Sequence, residues 1–336
     1  MSSMNKHTEY RALVAEETET GFTQQVKTLS TAGLPPNDLL IRVHYSSLNY
    51  KDALSASGNR GVTKNYPFTP GIDAAGIVER SNSDDFSEGD EVIVTSYDLG
   101  MNTPGGFGGY ISVPAGWALH LPGGLTLKES MMIGTSGLTA AIGVEKLMAG
   151  GVKPGSGKVL VTGATGAVGS FAVALLSRLG YHVIAATGKM NEQKFLKKIG
   201  AGEVIHRDEV SGVDGKPLLS SKWVGALDTV GGKMLDAVIR QTDHNGTVAC
   251  CGNVLGGELN TSIYPFILRG VSLMGIDSGI ALMEDRLRVW NKLAGPWKPG
   301  ALAHLCRDTT LDKLVPEIEK ILKGGQTGKV LVNLRG

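Results

Sequence analysis

The stretch VTGATGAVG (161–169) decides the fold of the second half of the chain. It follows an apolar run that begins at Lys158 and opens a stretch whose spacing predicts a helix from Val168 to Leu179. Glycines here let the backbone turn sharply and approach a diphosphate, while the helix N-terminus offers free N–H groups to negative charge. The stretch predicts a dinucleotide-binding loop, with a tight turn that binds nothing as the alternative.

Three glycines give this loop the spacing G-x-x-G-x-x-G: Gly163, Gly166 and Gly169. In the G-x-G-x-x-G register of dinucleotide-binding folds, Ala164 replaces the first glycine, while Gly166 and Gly169 remain. A glycine motif alone is weak. Its position between a buried strand and a helix is the context that the motif requires.

Strands and helices alternate around this loop. The predicted strands are KVLVTG (158–163), HVIAAT (182–187), EVIH (203–206), WVGALD (223–228), TVACCG (247–252) and VSLMGI (271–276), and the predicted helices cover 168–179, 191–199 and 232–242. This alternation implies a parallel sheet with helices on both faces. Helical periodicity also covers residues 125–148. We therefore expect an α/β, doubly wound nucleotide-binding domain over residues 126–299.

The end of the second predicted strand indicates which dinucleotide binds. Sites that prefer NAD carry an acid there, about 20 residues after the loop, to bind the ribose 2′-hydroxyl. This strand ends in AATGK (185–189) and contains no acid. Thr187, Lys189 and the later Arg207 suit a 2′-phosphate instead, which favours NADPH. The alternative is that Lys189 and Arg207 are solvated surface charges.

The first third of the chain reads as short strands and turns. LLIRVHYSSL (39–48), DAAGIVER (73–80) and GDEVIVTSY (89–97) are the predicted strands, separated by proline and glycine. The C-terminal part predicts a helix over 312–323 and a strand KVLVNL (329–334) with no helix after it, which suggests a return to the first domain. The expected division is residues 1–125 with 300–336 in a β-rich domain, and 126–299 in the other.

Composition limits the partners and the compartment. The chain has 336 residues and a net charge of +1, which gives no reason to expect nucleic acid or an acidic membrane as a partner. Three cysteines with one adjacent pair do not make a disulfide framework, so a reducing compartment is expected. The N-terminal stretch lacks a signal-peptide pattern and no run approaches 18 apolar residues, so the expected location is the cytoplasm.

The whole chain, from about Tyr10 to Arg335, resembles the medium-chain dehydrogenase/reductase superfamily. The resemblance is carried by SSLNYKD (46–52), PFTPGIDAAG (67–76), DTVGG (228–232), PFILR (265–269) and GIDS (275–278). In combination these stretches are similar to the acrylyl-CoA reductase group, whose members are also named quinone oxidoreductases. The resemblance implies a GroES-like β-rich catalytic domain, a Rossmann domain that binds NADPH, and a homodimer.

Zinc-dependent members of this superfamily carry a Cys in the first stretch and a His in the second. Asn49 and Ile72 stand at those positions here, and neither offers the thiolate or imidazole ligand that catalytic zinc requires. We therefore expect no metal. Without zinc to polarise an alcohol or a carbonyl, the suitable chemistry is hydride transfer to the β-carbon of an electron-poor alkene. The protein must then align donor and acceptor and stabilise the developing oxyanion.

The resemblance also implies the site residues. Tyr50 is expected beside the nicotinamide and, with Asn49, to be catalytic, although Tyr50 could also be a packing residue. Asp52 is a weaker candidate that could simply cap a helix. Cys250 and Cys251 are expected to line the core or the cleft. The implied cofactor contacts are Tyr50, Gly163, Ala164, Thr165, Gly166, Ala167, Val168, Gly169, Thr187, Gly188, Lys189, Arg207, Ile267 and Ser278.

Several alternatives remain open at the level of sequence. TGATGAVG (162–169) also matches extended short-chain dehydrogenases, but no tyrosine is followed by the lysine of their Y-x-x-x-K motif. A non-catalytic NADPH-binding sensor is an alternative of another class. Among enzymes, the expected substrate is a small enoyl thioester such as acrylyl-CoA, with a quinone or an enone as the alternative. Residues 294–306 contain no recognisable motif and could shape substrate choice.

Overall fold

The computed structural model describes residues 7–212 and 215–335. Within these ranges the chain forms two compact units. The first contains the described residues up to Thr135, the segment Gly279–Leu287 and the described residues from Cys306 onward. The second contains the described residues of Ser136–Ser278 and the segment Arg288–Leu305.

Strands predominate in the first unit, whereas strands and helices alternate in the second. The described strands are β1 (Glu9–Thr18), β2 (Gly21–Ser30), β3 (Leu39–Leu48), β4 (Asp73–Ser81), β5 (Glu91–Thr95), β6 (Tyr110–Val113), β7 (Ala118–His120), β8 (Lys158–Val161), β9 (His182–Thr187), β10 (Glu203–His206), β11 (Trp223–Asp228), β12 (Thr242–Cys250), β13 (Ser272–Gly275), β14 (Cys306–Thr310) and β15 (Lys329–Asn333). The described α-helices are α1 (Tyr50–Ala56), α2 (Leu127–Ala149), α3 (Ala167–Arg178), α4 (Gln193–Lys198), α5 (Asp208–Ser211), α6 (Gly232–Arg240), α7 (Tyr264–Arg269), α8 (Met283–Ala294), α9 (Leu302–Leu305) and α10 (Leu314–Leu322).

The first unit is built on a largely antiparallel sheet with the strand order β14-β15-β3-β4-β5-β7, in which β6 also pairs with β3. Alternate side chains of a strand face the same side, and Leu39, Ile41 and Val43 of β3 are accordingly buried in one hydrophobic cluster. The last strand, β15, pairs antiparallel with β3, with Val330 opposite Leu48. The β-rich first domain and the return of the C-terminal strand are confirmed.

The second unit is built on a parallel sheet with the strand order β10-β9-β8-β11-β12-β13. The apolar side chains of β8 are fully buried, as expected for a central strand covered on both faces. The order reverses at β8, which pairs with β9 on one side and with β11 on the other. Ligands of doubly wound sheets bind at this reversal, outside the carboxyl ends of the strands. The doubly wound Rossmann fold is confirmed.

One predicted element differs in a way that concerns the first unit. Residues 125–148 predict one continuous helix, but α2 is interrupted at Gly134, whose φ of 50° and ψ of −161° are not helical. The first unit ends at the next residue, Thr135, rather than at residue 125. Gly134 packs so closely on the first unit that a Cβ there would lie 2.5 Å from Asp73 Oδ2. The interruption is therefore tied to the surroundings of Asp73.

Candidate functional site

The glycine loop of the second unit connects β8 to α3 at the point where the strand order reverses. Gly166 is the N-cap of α3, and its N–H donates to the Gly163 carbonyl at 2.9 Å. The N–H groups of the first helical turn, from Ala167, Val168 and Gly169, have no acceptor within the helix. This end of the helix can therefore donate hydrogen bonds to an anion.

Two of the loop glycines are required by close approach. Gly163 has a φ of +56°, and a Cβ there would lie 2.4 Å from Thr229 Oγ1. A Cβ on Gly169 would lie 2.3 Å from the Gly163 carbonyl oxygen, so α3 packs directly on the loop backbone. Ala164 is fully buried and its N–H donates to the Ala186 carbonyl at 3.1 Å. Side chains at Gly163 and Gly169 would therefore displace the loop backbone from its packing against Thr229 and α3.

Asp228, the first residue of the DTVGG stretch, holds the neighbouring turn in place. Its buried carboxylate accepts hydrogen bonds from Thr162 Oγ1 at 2.7 Å and from the Gly231 N–H at 2.7 Å. Burial raises the pKa of this carboxyl, and these hydrogen bonds oppose the rise. Thr229 in turn donates to the Thr162 carbonyl at 2.9 Å. Asp228 is therefore a positioning residue next to the loop.

The predicted 2′-phosphate residues come together beyond the carboxyl end of β9. Thr187 Oγ1 accepts from the Lys189 N–H at 3.0 Å and lies 3.3 Å from Thr165 Oγ1. The Arg207 N–H donates to the Thr187 carbonyl at 2.9 Å. The Arg207 side chain lies over Gly188, where a Cβ would be 3.1 Å from its Cδ and Nε. These five residues therefore form one group that contains hydroxyl and cationic donors.

The two remaining predicted contacts lie later in the second unit. The side chain of Ile267, on α7, is 63% exposed, which is unusual for a residue of its type in a folded domain. Ser278 is buried, and its hydroxyl is 2.6 Å from the hydroxyl of Thr139 on α2. Neither position has a described hydrogen bond to the glycine loop.

In the first unit, Asn49 and Tyr50 stand where β3 gives way to α1. Asn49 is the N-cap of α1, and its N–H donates to Asp52 Oδ2 at 2.7 Å, so Asp52 caps the helix as the sequence suggested. Tyr50 follows as the first helical residue and is 41% exposed. The Tyr50 phenol makes no hydrogen bond to any described residue, so it is available to a ligand.

Asp73, at the start of β4, is the centre of a buried polar cluster in the first unit. Its carboxylate accepts hydrogen bonds from Ser47 Oγ at 2.5 Å and Asn49 Nδ2 at 2.8 Å. It also accepts from the Thr135 N–H at 3.0 Å and the Thr135 hydroxyl at 2.6 Å. Lys329 Nζ lies 3.6 Å from Asp73 Oδ2. The side chains of Lys329 and Asp73 are almost fully buried, at 2% and 0% exposure.

The carboxamide of Asn49 is engaged at both ends within this cluster. Besides its bond to Asp73, Nδ2 donates to the Ser47 carbonyl at 3.2 Å and to Asp52 Oδ2 at 3.3 Å. Its oxygen accepts from Lys329 Nζ at 3.2 Å. An amide held in this way is suited to positioning Tyr50, the next residue, rather than to contacting a substrate itself.

Asp52 is the most strongly perturbed acid of the cluster. Burial raises the pKa of its carboxyl to about 7, and the negative charge of Asp73 acts in the same direction. Hydrogen bonds from the N–H groups of Asn49 and Ile72 oppose the rise. Burial therefore disfavours the ionised form of the Asp52 carboxyl in a cluster that also contains Asp73.

Asn49 and Ile72, which stand where the resemblance places the zinc ligands of other members, both bond to Asp52 in this cluster. Ile72 contributes only its backbone N–H, which donates to Asp52 Oδ1 at 2.7 Å, and its side chain is buried. Over residues 7–212 and 215–335, no three His, Cys, Asp or Glu side chains are grouped so that they could hold a metal ion. The donors gathered here are amide, hydroxyl and ammonium groups, which suit hydrogen bonding rather than zinc coordination.

The adjacent cysteines are poor candidates for nucleophiles. Burial raises the pKa of Cys251 to about 12, and the thiol contacts the Asp228 carbonyl at 3.7 Å. Burial also raises the pKa of Cys250. A thiol that stays protonated at neutral pH is unreactive.

Most of the cluster was missed at the level of sequence. Asp73 drew attention only as part of PFTPGIDAAG, and Ser47 only as part of SSLNYKD. Lys329 and Thr135 carried no signal, since neither belongs to a recognisable local motif. A lysine at the start of an apolar strand does not distinguish the two cases, since Lys158 starts the strand KVLV and is exposed, whereas Lys329 starts KVLVN and is buried.

Comparison with known proteins agrees with this geometry. A family described as zinc-binding dehydrogenase matches residues 167–289, and one described as alcohol dehydrogenase GroES-like domain matches residues 35–123. The acrylyl-CoA reductase AcuI of Ruegeria pomeroyi is 40% identical over 327 residues, which cover 97% of this chain and 99% of that protein.

Solved structures agree over the same length. The yhdH oxidoreductase of Salmonella enterica, in complex with NADP, has a TM-score of 0.94 and 38% identity, covering 97% of this chain and 100% of that one. Protein yhfP of Bacillus subtilis, with NAD bound, has a TM-score of 0.93 and 44% identity, covering 97% and 100%. None of the helices in the described ranges is both long and apolar enough to cross a membrane.

Proposed function

The chain belongs to the medium-chain dehydrogenase/reductase superfamily, in its zinc-independent acrylyl-CoA reductase and quinone oxidoreductase group, and on this premise we propose that it reduces a small 2-enoyl thioester with NADPH. As a member of this group it is an oxidoreductase that uses a nicotinamide cofactor. Its 40% identity with an acrylyl-CoA reductase over 97% of the chain supports this substrate. Its 44% identity with YhfP of Bacillus subtilis, which is named as a quinone oxidoreductase, supports a quinone as the alternative.

The second unit offers the residues that would hold the cofactor. The loop that contains Gly163, Gly166 and Gly169 suits a diphosphate, because the N–H groups at the start of α3 have no acceptor within the helix. Arg207 and Lys189 would bind the 2′-phosphate beside Thr187. These two cations, and the absence of an acid in the sequence AATGK, favour NADPH over NADH.

When bound, NADPH would supply a hydride to the β-carbon of the enoyl thioester, and a proton from solvent would add at the α-carbon to complete the saturated product. The negative charge that develops then moves to the thioester oxygen of the substrate, where a hydrogen-bond donor stabilises it. Tyr50 is the candidate donor, because its phenol is exposed and has no partner among the described residues. Asn49 and the cluster around Asp73 fix the start of α1 and thereby orient Tyr50.

A Tyr50→Phe variant tests this role. Loss of one hydrogen bond that forms to the developing charge lowers kcat by roughly 100-fold, with little change in the KM for NADPH. Tyr45→Phe, on β3, is the matched control and keeps the wild-type kcat. An unchanged kcat in Tyr50→Phe would remove Tyr50 from the mechanism.

We also propose a homodimer that pairs through β13. This strand lies at the edge of its sheet, which leaves one row of backbone groups for pairing. The nearby side chains of Ile263, Ile267 and Leu268 are 61%, 63% and 57% exposed. An apolar surface beside a free strand edge is typical of a two-fold interface. Light scattering of the purified protein that gave the monomer mass would contradict this proposal.

The substrate proposal is tested with the purified protein by following cofactor absorbance. NADPH and NADH are each offered with acrylyl-CoA, crotonyl-CoA, a free enone and a benzoquinone. The proposal predicts rapid NADPH-specific turnover of acrylyl-CoA, well above that of the quinone. If only the quinone is turned over, the substrate is a quinone and not a thioester. If NADPH binds but none of the four acceptors is turned over, the result favours a non-catalytic sensor.

A further inference from the structure

A groove in the first unit lies apart from the buried polar cluster. It has a volume of about 610 Å³, within the range of small-molecule sites. Its walls come from β1, β3 and β6 and from the residues that follow β14 and β15. None of the residues assigned above to cofactor or substrate lines it.

Two tyrosines form one wall of this groove. Tyr10 and Tyr110 pack edge to face, with ring centroids 5.7 Å apart, and both are more than nine-tenths buried. Neither hydroxyl has a hydrogen bond to another described residue. Burial raises the pKa of Tyr10 to about 12 and raises that of Tyr110 as well. Both phenols therefore remain protonated and can donate a hydrogen bond to a ligand.

Cationic side chains line the groove opposite a half-buried histidine. The His44 imidazole has no described hydrogen-bond partner, and its pKa is lowered by burial and then by the positive charges of Arg42 and Arg335. Arg42 is 3.3 Å from Glu79, whereas Arg335 forms no ion pair within the described part of the chain. The histidine thus lies in a positive potential that other groups do not fully neutralise.

The remaining charged pair of the groove does not change this balance. Arg11 and Asp312 both line it and form an ion pair of 2.5 Å, which is largely exposed. The two charges cancel each other to a first approximation. The uncompensated cation is therefore Arg335.

We propose that this groove binds the phosphate group of a small ligand. The polar side chains that line the groove without a described partner include two phenols, an imidazole and a guanidinium, and each can donate a hydrogen bond to a phosphate oxygen. The planar guanidinium of Arg335 matches phosphate geometry through paired hydrogen bonds. A ligand that carries negative charge also relieves the positive potential around His44.

The phosphate group could come from free inorganic phosphate or from a larger ligand. Coenzyme A carries a 3′-phosphate, so the thioester substrate is one such larger ligand. Binding of coenzyme A rests on the proposed function, whereas binding of inorganic phosphate does not. Both sources share the phosphate chemistry that the groove recognises, and the experiment separates them.

The first arm measures binding of inorganic phosphate by calorimetry to the full chain, with saturating NADP⁺ present to occupy the dinucleotide site. Arg335→Ala is expected to weaken binding about tenfold or more, and Tyr110→Phe to weaken it by a smaller factor. Arg80→Ala, an exposed arginine of the same unit outside the groove, is the control and binds as the wild type does. Unfolding midpoints within the range of the wild type show that each variant is folded.

The second arm follows the His44 imidazole by NMR in the same samples. Phosphate in the groove shifts the pKa of His44 upward, because an anion replaces part of the positive potential. The shift is absent in Arg335→Ala. No shift in the wild-type protein, or binding that Arg335→Ala leaves unchanged, overturns the proposal.

The third arm distinguishes the sources. Coenzyme A and dephospho-coenzyme A, which lacks the 3′-phosphate, are titrated against the phosphate-bound protein. Displacement by coenzyme A alone identifies the groove as the 3′-phosphate site. If neither displaces phosphate, the groove serves free phosphate, a result that leaves the proposed reductase activity intact.

Discussion

Replacing Lys329 with methionine removes the cation of the buried polar cluster while keeping most of the side-chain volume. Lys329 Nζ lies 3.6 Å from Asp73 Oδ2, and both side chains are almost fully buried. Removing one partner of a buried ion pair typically costs about 3–5 kcal/mol, because the remaining charge stays buried without compensation. Asp73 keeps its hydrogen bonds from Ser47, Asn49 and Thr135, so we expect the lower end, about 3 kcal/mol.

Native-state hydrogen exchange measures this loss in the first unit separately from the second. In Lys329→Met, the amides of β3 and β15 are expected to exchange roughly 100-fold faster than in the wild type. This factor corresponds to the expected loss of about 3 kcal/mol. Lys128→Met is the control, because Lys128 and Asp308 form a 2.6 Å pair whose side chains are 40% and 53% exposed. Such a pair contributes about 1 kcal/mol or less.

The double variant Lys329→Met/Asp73→Asn tests the same reasoning from the other side. It removes the stranded carboxylate and is expected to recover at least about 1 kcal/mol relative to Lys329→Met. If Lys329→Met lost no more protection than Lys128→Met, the Lys329–Asp73 pair would not stabilise the cluster. The proposal that this cluster positions the start of α1 would then be wrong.

Three further changes test other parts of the molecule. The pKa of Asp52 is raised from 3.8 to about 7, so between these pH values the native state binds a proton that the unfolded state lacks. The free energy of unfolding of the wild type therefore falls as pH rises from about 4 to about 7. The free energy of unfolding of Asp52→Asn should not show this decline. Gly134→Ala should lower the free energy of unfolding by about 2 kcal/mol or more. At Gly116 an added Cβ would lie more than 4 Å from any other atom, so Gly116→Ala should unfold at the same urea concentration as the wild type. Arg207→Ala should raise the KM for NADPH about tenfold or more and leave that for NADH unchanged in steady-state assays.

The nucleotide-binding unit could be predicted from the sequence because its signals are local. Buried parallel strands such as β8 read as continuous apolar runs, and the glycine loop lies directly between strand and helix. The ends of elements were less certain. The helix predicted over 191–199 begins as a 3₁₀ turn, with α4 covering Gln193–Lys198, and such turns are frequent at the ends of α-helices.

The buried polar cluster could not be predicted, because it is assembled from distant segments. Lys329 and Asn49 bond to each other across 280 positions of the chain. The pairing of β15 with β3 brings them together, and that register is a property of the sheet rather than of either segment. The interruption of α2 at Gly134 was hidden for a similar reason. The residues around it have good helical periodicity, and the close contacts of Gly134 with Asp73, Ser47 and Lys329 come from distant segments.

We propose hydride transfer from NADPH to the β-carbon of an enoyl thioester. It is tested most directly with NADPH that carries deuterium at the transferable position and with acrylyl-CoA as acceptor. We expect propionyl-CoA with one deuterium on its β-carbon, detected by mass spectrometry and NMR. Product without deuterium, or oxidation of the labelled cofactor only when a quinone is supplied, would contradict the claim.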